Sequence, residues 1–432
     1  MEKFVIEGGV PLSGSVRPAG NKNGALPILA ASLLTADEVV VGNVPRIRDV
    51  DAMLNLLEDL GASVDWRGRN ELVLCAANVD RTTVDRALAE RIRASFLLAG
   101  PLLARFNEAL MPPPGGDVIG RRRLDPHLDA FRALGATLDI GRDISLSAPG
   151  GLKAADVFMD EPSVMATENA LMAAALTPGA TVIRNAACEP HVQDLARMLV
   201  KMGADIQGIG SNLLTVNGAD QLHGCQHEVG PDHIEIGSFM ALAGITGGEV
   251  RIHGCVPDDL RMTRLVFGRM GLQTEIDGDD VLVPGGQKLI IQRDTGEYKP
   301  KIQDGPWPAF PADLTSIAVA LATQCEGSII IHEWMFENRL VFTDKLEVMG
   351  ADIVLCDPHR AIVTGPRRLR GERLESPDIR AGMAMLIAAL CAEGTSEIGN
   401  VSQIDRGYER IDERLRDLGA RIQRVATEPV HA

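Results

Sequence analysis

The feature that most constrains this chain is a unit that recurs six times along its 432 residues. In each copy a stretch with the apolar spacing of an α-helix ends in Leu or Met, and a glycine and a strand pattern follow. A glycine at this place is typical of the left-handed residue that ends a helix. The six glycines are Gly61, Gly135, Gly203, Gly271, Gly350 and Gly419. Six self-similar units that carry both helices and strands predict two α/β domains with three units in each.

The composition is that of a globular protein with aliphatic cores. Hydrophobic residues make up 45% and charged residues 24% of the chain, but aromatic residues only 3%. These proportions are ordinary for a folded domain. The chain is too long for one core, which also favours two domains.

Charge and motif content exclude several classes of function. The net charge of −16 disfavours binding to nucleic acid or to an acidic membrane surface. The seven cysteines are scattered and form no Cys-x-x-Cys pair, so we expect neither disulfides nor a metal site. The chain has no long apolar run and no basic segment before one, so we expect a cytoplasmic protein with no membrane partner.

The loops before the glycine-terminated helices occupy equivalent places in the six units. Because equivalent loops of one domain face the same way, their polar side chains are expected to converge on one site. The loop residues that could contribute are Arg46, Asp49, Asp117, Arg122, Glu189, Asp258, Asn338, Arg339 and Arg406.

The loop at residues 112–127 has a composition of its own. The three consecutive prolines at its start suppress a helix, and the two glycines that follow them permit positive φ angles. Asp117 follows the glycines, and three consecutive arginines begin at Arg121. This pattern is typical of a mobile loop that brings a carboxylate and guanidinium groups to an anionic ligand. Taken alone, the segment fits an ordinary surface loop as well.

Five motifs give the chain a resemblance to a known family. They are Asn21-Lys-Asn-Gly-Ala-Leu-Pro27, the Gly115-Gly-Asp117 loop, Phe310-Pro-Ala-Asp-Leu314, Phe336-Glu-Asn-Arg339 and Asp405-Arg-Gly-Tyr-Glu-Arg410. With these motifs the chain resembles, over nearly its whole length, the UDP-N-acetylglucosamine 1-carboxyvinyltransferases of the EPSP synthase superfamily. These enolpyruvyl transferases open peptidoglycan precursor synthesis.

The resemblance implies a fold and a reaction. The fold would be two inside-out α/β barrel domains, each made of three βαβαββ-like units. One domain would span residues 22–230 and carry the 112–127 loop. The other would combine residues 1–21 with 231–432, and the active site would lie in the cleft between them. The reaction would join phosphoenolpyruvate to the 3-hydroxyl of UDP-N-acetylglucosamine, release phosphate, and use no cofactor. The protein would be a monomer or weak homo-oligomer that serves cell wall biogenesis.

The resemblance also implies roles for residues. Asp117 would be the general acid, at a position where better-known members carry cysteine, and this replacement predicts resistance to fosfomycin. Asp313 would be the base for the sugar hydroxyl, with Lys22 and Arg406 as further catalytic residues. Phosphoenolpyruvate would bind Lys22, Asn23, Arg122 and Arg406.

A larger set would line the nucleotide-sugar site, with four residues in support. The proposed lining residues are Asn23, Arg93, Arg122, Leu124, Asp125, His127, Ser163, Val164, Asp313 and Met335. The supporting residues are Arg339, Arg380, Glu189 and Asp378. The chain departs from the family pattern at Arg123, Pro126 and Met165, and these departures leave the identity of the acceptor open. It also departs at Ala312, which removes one hydroxyl and leaves the expected role of Asp313 intact.

Two other functions remain open at the level of sequence. The first is an enolpyruvyl transferase with another acceptor, such as a free nucleotide or shikimate 3-phosphate. The serine-rich first loop of the shikimate enzyme is replaced here by Gly20-Asn-Lys-Asn23. The second is a non-catalytic paralogue that binds a nucleotide sugar. The presence of Lys22, Asp117, Asp313 and Arg406 argues against it.

Overall fold

The six glycines that end the repeated helices all adopt a left-handed backbone, as the sequence predicts. In the computed structural model, which describes residues 2–426, their φ angles lie between 90° and 112°. Glycine reaches this region without the steric penalty that a Cβ imposes. Each repeated helix therefore ends where the sequence predicts, and a strand follows.

Within the described residues the structure contains helices and short strands in regular alternation. The α-helices are α1 (Lys22–Ala31), α2 (Arg48–Asp59), α3 (Arg86–Ala89), α4 (Ala99–Phe106), α5 (Asp125–Ala133), α6 (Val164–Ala175), α7 (Pro190–Lys201), α8 (His233–Thr246), α9 (Arg261–Arg269), α10 (Thr315–Ala322), α11 (Thr343–Val348), α12 (Ile379–Cys391) and α13 (Ile411–Asp417). The 3-10 helices are Ser32–Leu34, Arg93–Leu98, Pro257–Leu260, Ala312–Leu314 and Ile404–Arg406.

The strands of the same residues are β1 (Glu2–Glu7), β2 (Gly14–Val16), β3 (Glu38–Gly42), β4 (Ser63–Trp66), β5 (Leu72–Cys75), β6 (Glu108–Met111), β7 (Thr137–Ile140), β8 (Ile144–Ser147), β9 (Asp156–Phe158), β10 (Gly179–Arg184), β11 (Asp205–Gln207), β12 (Leu213–Gly218), β13 (Gln226–Glu228), β14 (Val250–Ile252), β15 (Glu275–Asp277), β16 (Asp280–Val283), β17 (Lys301–Gln303), β18 (Gly327–His332), β19 (Asp352–Asp357), β20 (Arg360–Gly365), β21 (Arg373–Glu375), β22 (Thr395–Gly399) and β23 (Arg421–Ala426).

The chain divides into two units, each with its own hydrophobic core. Unit A comprises Gly20–Asp117 and Arg122–Gly230, and unit B comprises Met1–Ala19, Val118–Arg121 and Pro231–Ala432. Each unit holds three small sheets. Those of unit A have the strand orders β13-β3-β5-β4, β6-β8-β7 and β11-β12-β10-β9. Those of unit B have the orders β15-β16-β14-β2, β17-β18-β20-β19 and β21-β22-β1-β23. The sequence predicts three copies of the repeat in each domain. Each copy therefore corresponds to one sheet.

The order of elements in the repeat is interrupted at two crossings, the points near Gly20 and Pro231 where the chain passes between units A and B. The segment from β9 to β12 shows the full βαβαββ order within one stretch of chain. At the crossings this order is broken, because β2 pairs in parallel with β14 of unit B and β13 pairs in parallel with β3 of unit A. The residues before Gly20 therefore complete a sheet of unit B.

Helices, rather than sheets, form the centre of each unit. Every residue of α10 is buried, as are residues 233–244 of α8 and 379–390 of α12. The sheets contribute one face only, since Ile329 and Ile331 of β18 are buried and Ile330 between them is partly exposed. A helix that is apolar all round belongs inside a core, and a sheet with alternating burial belongs at its surface. This is the inside-out α/β arrangement that the family resemblance implies.

One boundary differs from the residue 22 expected from the sequence. Asn21 N donates a hydrogen bond to Gly230 O at 2.8 Å, and Asn21 Oδ1 accepts one from Gly24 N at 3.1 Å. Because these contacts lie in unit A, Gly20 and Asn21 belong there.

The 112–127 loop was also expected to lie wholly in the domain of residues 22–230, and this is wrong for its middle. Residues Val118–Arg121 belong to unit B. Asn338 N donates to Ile119 O at 2.9 Å, and Arg121 N donates to Glu337 Oε2 at 3.0 Å. Such contacts depend on tertiary structure rather than on the loop's own composition.

The helices of the described residues include none with the length and apolar character that a membrane span requires.

Candidate active site

The carboxylate of Asp313 lies between two buried arginines of unit B. Its Oδ1 accepts a hydrogen bond from Arg339 Nη2 at 2.9 Å, and its Oδ2 accepts from Arg380 Nη2 at 2.8 Å and Nε at 3.1 Å. The arginine side chains are 3% and 5% exposed, whereas that of Asp313 is 27% exposed. The N-cap of α10 is Leu314, so Asp313 does not occupy that position. The result is an accessible carboxylate whose orientation is set by three charge-assisted hydrogen bonds.

Arg380 is held in place by its own helix and by a tyrosine. Asp378 is the N-cap of α12 and accepts hydrogen bonds from the backbone amides of Arg380 and Ala381. Arg380 Nη1 donates to Tyr408 Oη at 3.2 Å. Burial lowers the pKa of Arg380, but Asp313, Tyr408 and Asp232 outweigh it and raise the pKa above its ordinary value. Arg380 is therefore a permanent cation, and Asp378 supports it by capping.

Besides Asp313, which contacts its Nη2, Arg339 has a second acid near its Nε. Glu333 is fully buried, and its Oε2 lies 3.7 Å from Arg339 Nε. Burial raises the pKa of Glu333 to about 8, while Arg339 lowers it and Asp304 raises it further. Glu333 is therefore a carboxyl group that holds its proton at neutral pH.

The same acids shape the turn that carries Met335. Asp304 accepts hydrogen bonds from the backbone amides of Trp334 and Met335, and Glu333 Oε1 accepts one from Phe336 N at 3.0 Å. These bonds satisfy three consecutive amides of an irregular segment. They fix the backbone that carries Met335, a half-buried residue, in the segment of chain between β18 and the buried Arg339.

A buried histidine lies beside the Asp313 cluster. His233 begins α8, directly after Asp232, whose side chain caps that helix. The His233 ring lies 5.8 Å from the Trp307 ring. Burial lowers its pKa to about 4, with Asp313 raising and Arg380 lowering it. His233 is thus neutral at physiological pH.

Arg406 lies in the 3-10 helix Ile404–Arg406 and is half-buried. Its Nη1 donates to Gln403 Oε1 at 2.9 Å. The neighbouring Asp405 accepts two hydrogen bonds from Arg424, at 2.9 and 2.8 Å. This bidentate pair fixes the turn, so the motif presents Arg406 from a rigid backbone.

In unit A, the candidate cation Lys22 is the first residue of α1 and is already ion-paired. Lys22 Nζ lies 2.8 Å from Asp49 Oδ2, and both side chains are largely buried. Asn23 follows it at the start of the helix. The positive dipole end of a helix favours an anion at this place.

Arg93 anchors the candidate loop. Its Nη2 donates to Arg122 O at 2.6 Å and to Arg123 O at 3.3 Å. Burial and the charge of Arg122 lower the pKa of Arg93 to about 10, which still leaves it charged at neutral pH. Arg122 Nη1 in turn donates to Asp117 O at 3.4 Å. Arg93, Arg122 and Asp117 are therefore one connected group.

The glycines before Asp117 permit this approach. Gly116 has a φ of 103°, and a Cβ there would lie 2.9 Å from Arg93 Cβ. A Cβ on Gly115 would lie 1.8 Å from Glu90 O. Only glycine fits at both positions.

Arg123 has a structural role. Its Nη2 lies 2.7 Å from Asp160 Oδ2, and its Nε lies 3.3 Å from Asp125 Oδ2. Both acids lie in unit A, as Arg123 does. Arg123, where the chain departs from the family pattern, is therefore held by local ion pairs. One of these pairs is with Asp125, a residue expected to bind the nucleotide sugar.

His127 lies in the core rather than on the surface. It is 2% exposed, and its ring meets that of Phe96 edge to face at 5.0 Å. Burial and the charge of Arg93 lower its pKa to about 3. Leu124 is the N-cap of the same helix, and its carbonyl oxygen accepts a hydrogen bond from His127 N.

The start of α6 carries the next expected residues. Ser163 is the N-cap and accepts a hydrogen bond from Ala166 N at 3.4 Å, and Val164 begins the helix. One turn on, Glu168 is buried, and burial and the nearby Glu189 raise its pKa well above the ordinary value. Glu189 itself precedes α7. Unit A thus contains a buried acid, Glu168, whose ionised form is disfavoured by burial and by the charge of the half-buried Glu189.

The comparisons with known proteins agree with these motifs. The family model described as EPSP synthase (3-phosphoshikimate 1-carboxyvinyltransferase) matches residues 6–415. Curated relatives named UDP-N-acetylglucosamine 1-carboxyvinyltransferase include those of Bradyrhizobium diazoefficiens, 56% identical over 98% of both chains, and Treponema pallidum, 52% identical over 98% of this chain and 99% of the relative. The chain belongs to this family. It is a transferase of the enolpyruvyl-transferring type, as the sequence motifs predict.

Solved structures of the wider family share the fold. The enolpyruvyl transferase NikO from Streptomyces tendae is 25% identical, with a TM-score of 0.88 over 99% of both chains. EPSP synthase from Acinetobacter baumannii is 19% identical, with a TM-score of 0.74 over 99% of this chain and 100% of that one, and this likeness concerns the fold alone.

The structure brings the expected residues together in two groups. Unit B joins Asp313, Arg339 and Arg380 directly, and unit A joins Arg93, Arg122 and Asp117. The sequence reasoning missed Glu333, His233, Glu168 and Asn169. For Glu333 a signal was present, because it continues the buried alternation of Ile329 and Ile331, where a carboxyl group is unexpected.

Proposed function

We propose that this chain transfers the enolpyruvyl group of phosphoenolpyruvate to the 3-hydroxyl of UDP-N-acetylglucosamine, with release of phosphate. The observation that carries the proposal is the Asp313 carboxylate held by Arg339 and Arg380. It occurs in a chain 56% identical to a relative named for this activity. The product would enter peptidoglycan synthesis, and we infer a cytoplasmic monomer or weak homo-oligomer.

The reaction needs one base and one acid. In the addition step the sugar oxygen bonds to C2 of phosphoenolpyruvate, its proton passes to the base, and the methylene carbon C3 takes a proton from the acid. In the elimination step C3 returns a proton to the ionised acid, the C2–C3 double bond re-forms, and the bond from C2 to the phosphate oxygen breaks as the proton on the base passes to the leaving phosphate. We assign Asp313 as the base and Asp117 as the acid.

Asp313 suits the role of base because its orientation is set before substrate arrives. Two buried guanidinium groups hold both carboxylate oxygens, so little reorganisation is needed in the reaction. Its partial exposure leaves room for a hydroxyl to approach within hydrogen-bond distance.

The anionic groups of phosphoenolpyruvate require cations. We assign Lys22, Arg122 and Arg406 to its carboxylate and phosphate, with Asn23 as a polar contact. Guanidinium groups bind both anions through two parallel hydrogen bonds. The ion pair of Lys22 with Asp49 and the Arg122 bond to the loop backbone support these roles, since each orders a cation in advance.

The nucleotide sugar is assigned to unit A residues around Arg93, the 122–127 segment and the start of α6, and to Asp313 and Met335 of unit B. Arg93 would hold the segment through its bonds to the carbonyls of residues 122 and 123. Arg123 is ion-paired with a local acid, so its charge is already balanced within the protein. Its replacement of the family's usual residue is therefore compatible with UDP-N-acetylglucosamine as the acceptor.

A phosphate-release assay tests the proposal. The enzyme is incubated with phosphoenolpyruvate and, in turn, UDP-N-acetylglucosamine, UMP and shikimate 3-phosphate. We expect phosphate only with the first acceptor. Release with either of the others instead would assign another acceptor, and no release with any would favour a non-catalytic binding protein.

A further inference from the structure

Asn169 links three segments of unit A through one buried side chain. It lies on α6 and is 0% exposed. Its Oδ1 accepts a hydrogen bond from Gly100 N at 2.8 Å. Its Nδ2 donates to Phe96 O at 2.9 Å and lies 2.9 Å from His127 Nδ1. The three segments are α4, the 3-10 helix that begins at Arg93, and α5.

The chemistry of the partners decides which amide atom faces which. A backbone N–H only donates and a backbone carbonyl only accepts. The bond from Gly100 N therefore requires the oxygen of Asn169, and the bond to Phe96 O requires the nitrogen. One hydrogen of Nδ2 points to Phe96 O, and the other is left for His127 Nδ1.

The tautomer of His127 follows from this assignment. A ring nitrogen that receives a hydrogen bond carries no proton, so Nδ1 is the acceptor. The proton of the neutral imidazole then lies on Nε2. The ring is buried and lies within the field of the Arg93 guanidinium group. Its positive charge, together with burial, opposes the imidazolium form and favours the neutral one.

We propose that Asn169 is a positioning residue that fixes His127 as the neutral Nε2–H tautomer and so holds the 122–127 segment for the nucleotide sugar. His127 N donates to Leu124 O at 3.0 Å, which ties the histidine to the end of the loop. Phe96 lies three residues after Arg93, so the same amide also fixes the element that presents Arg93. The role in sugar binding rests on the proposed function, whereas the tautomer does not.

Close packing leaves Asn169 little freedom to rotate. A Cβ on Gly100 would lie 2.7 Å from both Asn169 O and Asn169 Oδ1. Helix α4 therefore touches α6 at this residue. A flip of the amide would bring its NH₂ group against Gly100 N, a donor against a donor, in a buried place where an unmade bond is unfavourable.

The first test needs no change at this residue. The protein is labelled with ¹⁵N at its nine histidines, and the His127 ring signals are identified by their loss in His127→Gln. We expect the pattern of a protonated Nε2 and an unprotonated Nδ1, unchanged from about pH 5 to 8. A proton on Nδ1, or titration of this ring within that range, would overturn the proposal.

The second test uses Asn169→Asp, which keeps the shape and removes the donor. The ionised side chain still accepts from Gly100 N but has no hydrogen for His127 Nδ1, so the proton of His127 moves to Nδ1 or the ring becomes charged. We expect that altered ring signature, together with a KM for UDP-N-acetylglucosamine raised about tenfold and a kcat within about twofold. Asn55→Asp, on the exposed face of α2, is the matched control and should behave as the parent.

The outcomes separate the two proposals. If the KM rises while His127 keeps its Nε2–H signature, Asn169 is a scaffold residue only and the proposal is wrong. If the parent enzyme does not use UDP-N-acetylglucosamine, the proposed function fails, and the ring signals still decide the tautomer in both proteins.

Discussion

Asp313→Asn is the substitution that most sharply separates charge from shape at the candidate site. Asparagine keeps the size of the side chain and one acceptor oxygen, but its NH₂ group faces guanidinium donors. Of the three hydrogen bonds to Arg339 and Arg380, at 2.8 to 3.1 Å, those to the replaced oxygen are lost. The two buried guanidinium groups also lose their shared counter-charge.

The size of the effect follows from burial. Removing one partner of a buried ion pair destabilises a protein by roughly 3–5 kcal/mol. The arginines are almost fully buried, but Asp313 is 27% exposed, and water reaches the gap. We therefore expect a loss of about 3 kcal/mol in the free energy of unfolding. Because the base is also removed, kcat should fall by about 10²–10⁴-fold.

Asp280→Asn is the matched control in the same unit. Asp280 accepts hydrogen bonds from His253 and Arg251, and its side chain is 25% exposed. Urea unfolding and phosphate release are measured on both variants. The control should lose stability and keep turnover, whereas Asp313→Asn should lose both. Equal turnover in the two variants would refute the assignment of Asp313 as the base.

Three further predictions concern Asp117 and Glu333. Asp117→Ala should lose turnover far more than nucleotide-sugar affinity measured by calorimetry, because the acid acts on the methylene carbon; retained turnover would exclude this role. The parent should resist fosfomycin and Asp117→Cys should become sensitive, since a thiolate is the better nucleophile; mass spectrometry of the loop peptide checks for the adduct, and an adduct on the parent would contradict the prediction. The pKa of Glu333 rises from 4.5 to about 8 on folding. The folded state therefore binds the extra proton, and stability should fall as pH rises between these values; Glu333→Gln should remove that slope in melting experiments, and an unchanged slope would assign it to other groups.

The repeat and its glycines were sufficient to predict the architecture. A helix that ends in a left-handed residue needs glycine whatever surrounds it, so Gly61 and its five counterparts mark the units without knowledge of the fold. The apolar character of α8, α10 and α12 likewise follows from their place in the core. Both features depend on the residues of the element itself, so they can be predicted from the sequence.

The missed residues depend on tertiary partners. Asn169 is a polar residue in apolar surroundings, and it is tolerated because particular backbone groups and a histidine ring satisfy it. Glu333 is buried as well, and its Oε1 accepts a hydrogen bond from Phe336 N. Those partners lie up to 73 residues away in sequence, as Phe96 does from Asn169. The placement of Val118–Arg121 in unit B depends in the same way on Asn338 and Glu337. Motif resemblance supplied Asp313 and Arg380, but only the structure shows that they are bonded to each other.

The product formed from phosphoenolpyruvate labelled with ¹³C at C2 tests the central claim most directly. After incubation with UDP-N-acetylglucosamine, carbon NMR and mass spectrometry of the nucleotide sugar report where the label resides. We predict one enolpyruvyl group, joined through an ether bond at the sugar 3-oxygen, and an equal amount of free phosphate. Unlabelled UDP-N-acetylglucosamine after phosphate release, or label at another oxygen, would contradict the proposed function.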